Sequence, residues 1–94
     1  MANEGKARKQ IARGKQAEAL TNNEILNECF EKIEKQIFES WRGTLAGEAD
    51  QRHNAYLMQR LLQNLKDQIA LIARTGKDAS KLLEIEKNAG NGNG

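Results

Sequence analysis

The chain has 94 residues, 38% apolar and 30% charged, which allows at most one domain with a thin hydrophobic core. It contains no proline and only four aromatic residues, a composition that excludes a β-sandwich and favours an all-α fold. A single cysteine excludes an internal disulfide, and no apolar run is long enough for a signal peptide or a membrane span. We therefore expect a soluble, intracellular, all-α protein that does not enter a membrane.

The net charge of +2 is unevenly distributed along the chain. Residues 1–20 carry five basic and two acidic side chains, whereas residues 21–48 carry three basic and six acidic ones. Gly5 and Gly14 each weaken a helix by roughly 1 kcal/mol relative to alanine, and the first segment has few large apolar residues to bury. We predict that residues 1–20 form a basic N-terminal arm, partly disordered until a partner orders it.

A strongly amphipathic helix is predicted to begin at Thr21, because Thr21 and Glu24 have the spacing of a capping box. Apolar residues then recur at spacings of three and four, the period of one buried helical face: Leu26, Phe30, Ile33, Ile37 and Trp41. Gly43 is expected to end this helix in the left-handed conformation.

A second helix is predicted from about Gly47 to about Arg74. It carries apolar residues at the same spacings: Ala55, Met58, Leu61, Leu62, Leu65, Ile69 and Ile72. The short connection between the two helices favours an antiparallel hairpin. This arrangement places Trp41 over the first turns of the second helix, as a lid on the core.

The end of the chain is expected to be less regular. Gly76 is predicted to stop the second helix, and Asp78 to cap a short third helix over residues 79–88. Residues 89–94 are predicted to form a flexible tail. The hairpin and the short helix together are expected to occupy residues 21–88.

The sequence offers few groups for chemistry. Cys29 and His53 are the only candidate pair of nucleophile and base, and the predicted hairpin places them about three helical turns apart. One cysteine and one histidine cannot supply the usual ligand set of a metal ion. We therefore expect no catalytic residues, no metal site and no cofactor.

Nucleic-acid binding is an alternative that depends on the arm. Its candidate phosphate contacts are Lys6, Arg8, Lys9, Arg13 and Lys15, and a solvated tail is the competing interpretation. A helix-turn-helix can be drawn through residues 71–86, but lysine occupies position 77, where that motif normally buries an aliphatic residue.

Several apolar side chains lie off the central stripes and are expected to form a protein interface: Ile25, Phe38, Tyr56, Leu57, Ile69, Leu71 and Ile72. A symmetric dimer would use one such patch twice. We therefore expect a homodimer or a higher oligomer, or else a surface for another protein.

Three sequence features within residues 20–84 are shared with a known group of proteins. They are "WRGT" at the end of the first helix, a charged corner that ends near Arg52 before a leucine-rich helix, and "GKDA" at residues 76–79. In these features the chain resembles a group of small helical proteins encoded in tailed bacteriophages and prophages. The corner at residues 45–47 departs from that group because it has no proline. The resemblance implies a gene lying among those for virion structure and DNA packaging, and a non-enzymatic role.

The expected function is that of a small phage accessory or virion-assembly protein that acts through protein–protein contacts. Its expected partners are a second copy of itself or other phage or host proteins. Its expected location is the host cytoplasm or the virion. Two alternatives stay open. One is a nucleic-acid-binding accessory or regulatory protein that uses the basic arm. The other is an inhibitor of a host enzyme.

Overall fold

The computed structural model describes residues 2–45 and 47–92, and within these ranges the only regular structure is helical. It consists of three α-helices: α1 (Ala2–Thr21), α2 (Glu24–Arg42) and α3 (Ala49–Gly92). The all-α prediction is confirmed. The helices belong to two compact units. Unit 1 combines α1 with the part of α3 from Ile69 onward, and unit 2 combines α2 with the part of α3 up to Gln68.

The segment predicted as a partly disordered arm is helix α1. It is rich in the strong helix formers alanine, lysine, arginine and glutamine, and it buries Gly14 and Ala17 within unit 1. The prediction was wrong because it looked for large apolar residues. α1 instead packs through small residues, which allow two helix backbones to approach closely.

Helix α3 passes through Gly76 without ending there. A Cβ atom built on Gly76 would lie 2.7 Å from the Cα atom of Gly14 and 2.8 Å from the carbonyl oxygen of Gln10. Glycine is therefore needed at this position for close packing and not as a helix stop. The predicted short helix over residues 79–88 is wrong, and residues 89–92 of the predicted tail are helical. Residues 93 and 94 lie outside the described residues.

The ends of α2 also differ from the prediction. Its N-cap is Asn23, whose side-chain oxygen accepts a 2.8 Å hydrogen bond from the backbone N–H of Leu26. Thr21 is the last residue of α1, and its hydroxyl donates to the carbonyl of Ala17. At the other end Gly43 is the C-cap in a right-handed conformation, with φ −76° and ψ −5°. The capping box at Thr21 and the left-handed Gly43 are thus both wrong.

The core of unit 2 is small. Its buried apolar residues are Phe30 and Ile37 from α2 and Ala55 and Leu62 from α3, all members of the predicted stripes. Trp41, the predicted lid, is instead 51% exposed, and its ring centre lies 6.0 Å from that of Phe38. Trp41 lies on the same face of α2 as Phe30 and Ile37, but in the last turn of the helix, where α3 leaves it half exposed.

Candidate functional site

An open groove of about 650 Å³ lies within unit 2, between α2 and the first half of α3. Its apolar lining consists of Ile33, Ile37, Met58, Leu61, Leu62 and Leu65. Four polar residues complete the lining: Gln36, Ser40, Asn64 and Gln68. None of these ten lining residues carries a charge, although 30% of the residues in the chain are charged.

The groove exists because the apolar stripes are wider than the contact between the helices. Ile37 and Leu62 are buried at its floor. The side chains that stand higher on the walls, Ile33, Met58, Leu61 and Leu65, are between 42% and 70% exposed. These four were predicted to be core residues. Helical spacing identified the apolar face correctly, but it did not show how much of that face the neighbouring helix covers.

A charged pair makes a second contact between α2 and α3. The ammonium group of Lys66 donates a hydrogen bond to the carboxylate of Glu34, and neither residue lines the groove. The Lys66 nitrogen also lies 5.4 Å from the centre of the Phe30 ring, within the range of a cation–π contact. Since both side chains are about one-third exposed, we expect the ion pair to contribute about 0–1 kcal/mol. Lys66 therefore adds polar contacts beside the buried Phe30.

An aromatic and cationic cluster lies on α3 near its N-terminus. The ring centres of His53 and Tyr56 are 6.3 Å apart. Arg60 donates a 3.3 Å hydrogen bond to the hydroxyl of Tyr56, and its guanidinium carbon lies 6.0 Å from the centre of that ring. The hydrogen bond and the Coulomb interaction with Tyr56 raise the pKa of Arg60 above its ordinary value. Arginine and tyrosine are enriched among residues that dominate binding at protein interfaces.

The seven residues predicted to form a protein interface do not belong to one unit. Ile25, Phe38, Tyr56 and Leu57 are exposed in unit 2, and none of them lines the groove. The other three belong to unit 1, where Leu71 is exposed and Ile69 and Ile72 are partly buried. Sequence reasoning therefore identified exposed apolar residues but missed the groove.

The five basic residues of α1 are all exposed. Helical spacing divides them, because Lys6, Lys9 and Arg13 recur at three and four whereas Arg8 and Lys15 lie on a different face. Arg8 is also paired with Glu4 at 2.7 Å. At most three of the five can therefore face one phosphate backbone together.

The other predictions about chemistry concern Cys29 and His53. Both are exposed, Cys29 on α2 and His53 on α3. Among residues 2–45 and 47–92, the structure groups no three histidine, cysteine, aspartate or glutamate side chains in a way that could hold a metal ion. No helix in the described part of the chain has the length and apolar character needed to cross a membrane.

The chain matches no protein-family model, and no curated protein or solved structure is significantly similar to it.

Proposed function

We propose that the protein is a non-enzymatic accessory or virion-assembly protein of a tailed phage, and that it acts by binding other proteins in the groove of unit 2. The observation that carries this proposal is the uncovered apolar surface on the two walls of the groove, formed by Ile33 of α2 and by Met58, Leu61 and Leu65 of α3. Covering such a surface gains roughly 25 cal/mol per Å² of apolar area. Contiguous exposed apolar surface is typical of sites where proteins bind one another.

The two walls of the groove suit a helical partner. Residues at positions 33, 36, 37 and 40 of α2, and 58, 61, 62 and 65 of α3, follow the same offsets of three, one and three. We infer that α2 and the first half of α3 act as an antiparallel hairpin, which the contacts of Lys66 with Glu34 and Phe30 support. The lining residues span positions 33–40 of α2 and 58–68 of α3. At about 1.5 Å per residue the two walls extend over about 10 Å and about 15 Å, enough for at least about two turns of a partner helix.

The phage assignment has its own support, which is the resemblance of residues 20–84 to small helical phage proteins. Under this proposal the protein is made in the host cytoplasm and acts there or in the assembled particle. Its partners are then itself or other phage or host proteins.

The groove can be tested in the phage that encodes the chain. We expect Leu61→Glu to reduce the yield of infectious particles at least about tenfold, because a charge in an apolar interface opposes binding. Leu45→Glu is the matched control, since Leu45 and Leu61 are both 70% exposed and Leu45 does not line the groove. Immunoblotting checks that the variants accumulate equally. Equal titres for both variants and the wild type would contradict the proposal.

Nucleic-acid binding is a second candidate, and the shared face of Lys6, Lys9 and Arg13 favours it. If these three residues contact duplex DNA, the logarithm of the binding constant should fall against log salt with a slope of about −3. Arg13→Gln should reduce that slope by about 1, whereas Lys15→Gln, on the other face, should leave it unchanged. Fluorescence anisotropy with a random-sequence duplex measures both slopes. Failure to bind at low salt would remove this candidate.

A further inference from the structure

We propose that the groove of unit 2 is occupied by a second copy of this chain. In this arrangement the two copies pack groove against groove about a two-fold axis, and α2 of each copy lies against the first half of α3 of the other. The inference rests on the proposed function, because it names the partner of the same groove.

None of the ten lining residues of the groove is charged, which suits contact with an identical groove. A residue at the centre of the groove, close to the two-fold axis, meets its own copy, so a charged residue there would face a like charge. Amide and hydroxyl groups avoid this problem because each can both donate and accept a hydrogen bond. All four polar lining residues are of this kind: Gln36, Ser40, Asn64 and Gln68. An unrelated partner would impose no such restriction.

The two helices that form the groove carry opposite net charges. α2 carries five acidic and three basic residues, a net charge of −2. Residues 49–68 of α3 carry two acidic and three basic residues, a net charge of +1. Placing α2 against α3 of the other copy brings opposite net charges together, whereas placing α2 against α2 would not. The charge pattern therefore favours a dimer in which α2 lies against α3 of the other copy over one in which α2 lies against α2.

The two walls of the groove also share a spacing of lining residues. The four lining residues of α2 and four of the six on α3, at positions 58, 61, 62 and 65, follow the same offsets, so each wall offers the other copy side chains at a spacing that it presents itself. The result resembles a four-helix arrangement around one apolar centre. The two helices of one copy, each about 28 Å long and about 10 Å wide, together present at most roughly 560 Å², less than the roughly 800 Å² per partner of a standard interface. We therefore expect a reversible dimer with a dissociation constant in the micromolar range.

Sedimentation equilibrium of the full chain tests this inference over roughly 5–200 μM protein, a range that spans micromolar dissociation constants. The wild type should shift from the monomer mass of 10.5 kDa towards twice that value. Leu61→Glu should raise the dissociation constant at least about tenfold with unchanged helicity by circular dichroism, while Leu45→Glu should dimerise like the wild type. If Leu61→Glu loses helicity, Met58→Gln in the same groove replaces it.

Two results would overturn the inference: a wild type that stays at 10.5 kDa throughout, or groove variants that dimerise as well as the wild type. The titre of phage that carries Leu61→Glu distinguishes failure of the dimer from failure of the proposed function. A monomeric wild type combined with a loss of titre for Leu61→Glu would mean that the groove binds a different protein. If Leu61→Glu prevents dimerisation but leaves the titre unchanged, the dimer through the groove is supported and the proposed function is contradicted.

Discussion

Phe30→Ala is expected to lower the free energy of unfolding by about 3–5 kcal/mol, a large part of the roughly 5–15 kcal/mol that stabilises a typical small domain. Phe30 is the largest buried side chain in unit 2 and only 8% exposed. Its removal loses the transfer free energy of the ring and leaves a cavity that the thin core cannot refill. It also removes the ring beneath the ammonium group of Lys66. Denaturant unfolding followed by circular dichroism measures the loss.

A pair of adjacent leucines provides the control for this experiment. Leu62 is 8% exposed and Leu61 is 70% exposed, although they are neighbours in the same helix. Leu62→Ala should cost about 2–5 kcal/mol and Leu61→Ala less than about 1 kcal/mol, at protein concentrations low enough to prevent association. Equal losses for the two leucines would show that the buried face of α3 has been assigned wrongly.

The second large effect is expected at the contact between the glycines of unit 1. Gly76→Ala would place a Cβ atom 2.7 Å from the Cα atom of Gly14, closer than backbone and side-chain atoms approach, so that α1 must move away. Alanine should by itself stabilise a helix by about 1 kcal/mol relative to glycine. We nevertheless expect a net loss of about 1–3 kcal/mol, because the atoms in the way belong to the backbone and cannot rotate aside.

Gly5→Ala is the matched control, since Gly5 lies in α1 and an added Cβ there meets nothing within 4 Å. This variant should gain about 0.5–1 kcal/mol from helix propensity alone. The two substitutions are chemically the same, so opposite signs in denaturant unfolding would isolate the packing effect. Tryptic cleavage within α1 that is faster in Gly76→Ala than in the wild type would show that the lost packing is between α1 and α3. A Gly76→Ala variant as stable as Gly5→Ala would mean that the close contact is absent.

The amphipathic helices were the predictable part of the fold. Large apolar residues at spacings of three and four identified α2, the first half of α3 and the buried residues Phe30, Ile37 and Leu62. The N-cap of α2 was placed two residues too early, at Thr21 and not at Asn23, because the sequence around it offers more than one capping residue. Asn23 and Thr21 both have side chains that can cap a helix, and local sequence does not decide between them.

The rest of the fold depends on contacts distant in sequence. A glycine after a long helical segment has the same local sequence pattern whether it ends the helix or lies where two helices pack closely. For Gly76 the two cases are distinguished only by its close contact with Gly14, which is distant in sequence. α1 was missed for the same reason, because small residues produce no amphipathic pattern. The groove could not be predicted either, since its apolar walls are indistinguishable in sequence from core.

The contact between Gly14 and Gly76 also affects the order of folding. Sixty-two positions separate the two residues, and ribosomes add about 5–20 residues per second, so roughly 3–12 s pass between their synthesis. During this interval α1 has been made but the part of α3 that covers it has not. Closing so long a stretch of chain is also slow relative to forming local helices. A segment that stays unpacked on the ribosome for seconds must resist aggregation, and the sparse large apolar residues and five exposed basic residues of α1 meet that requirement.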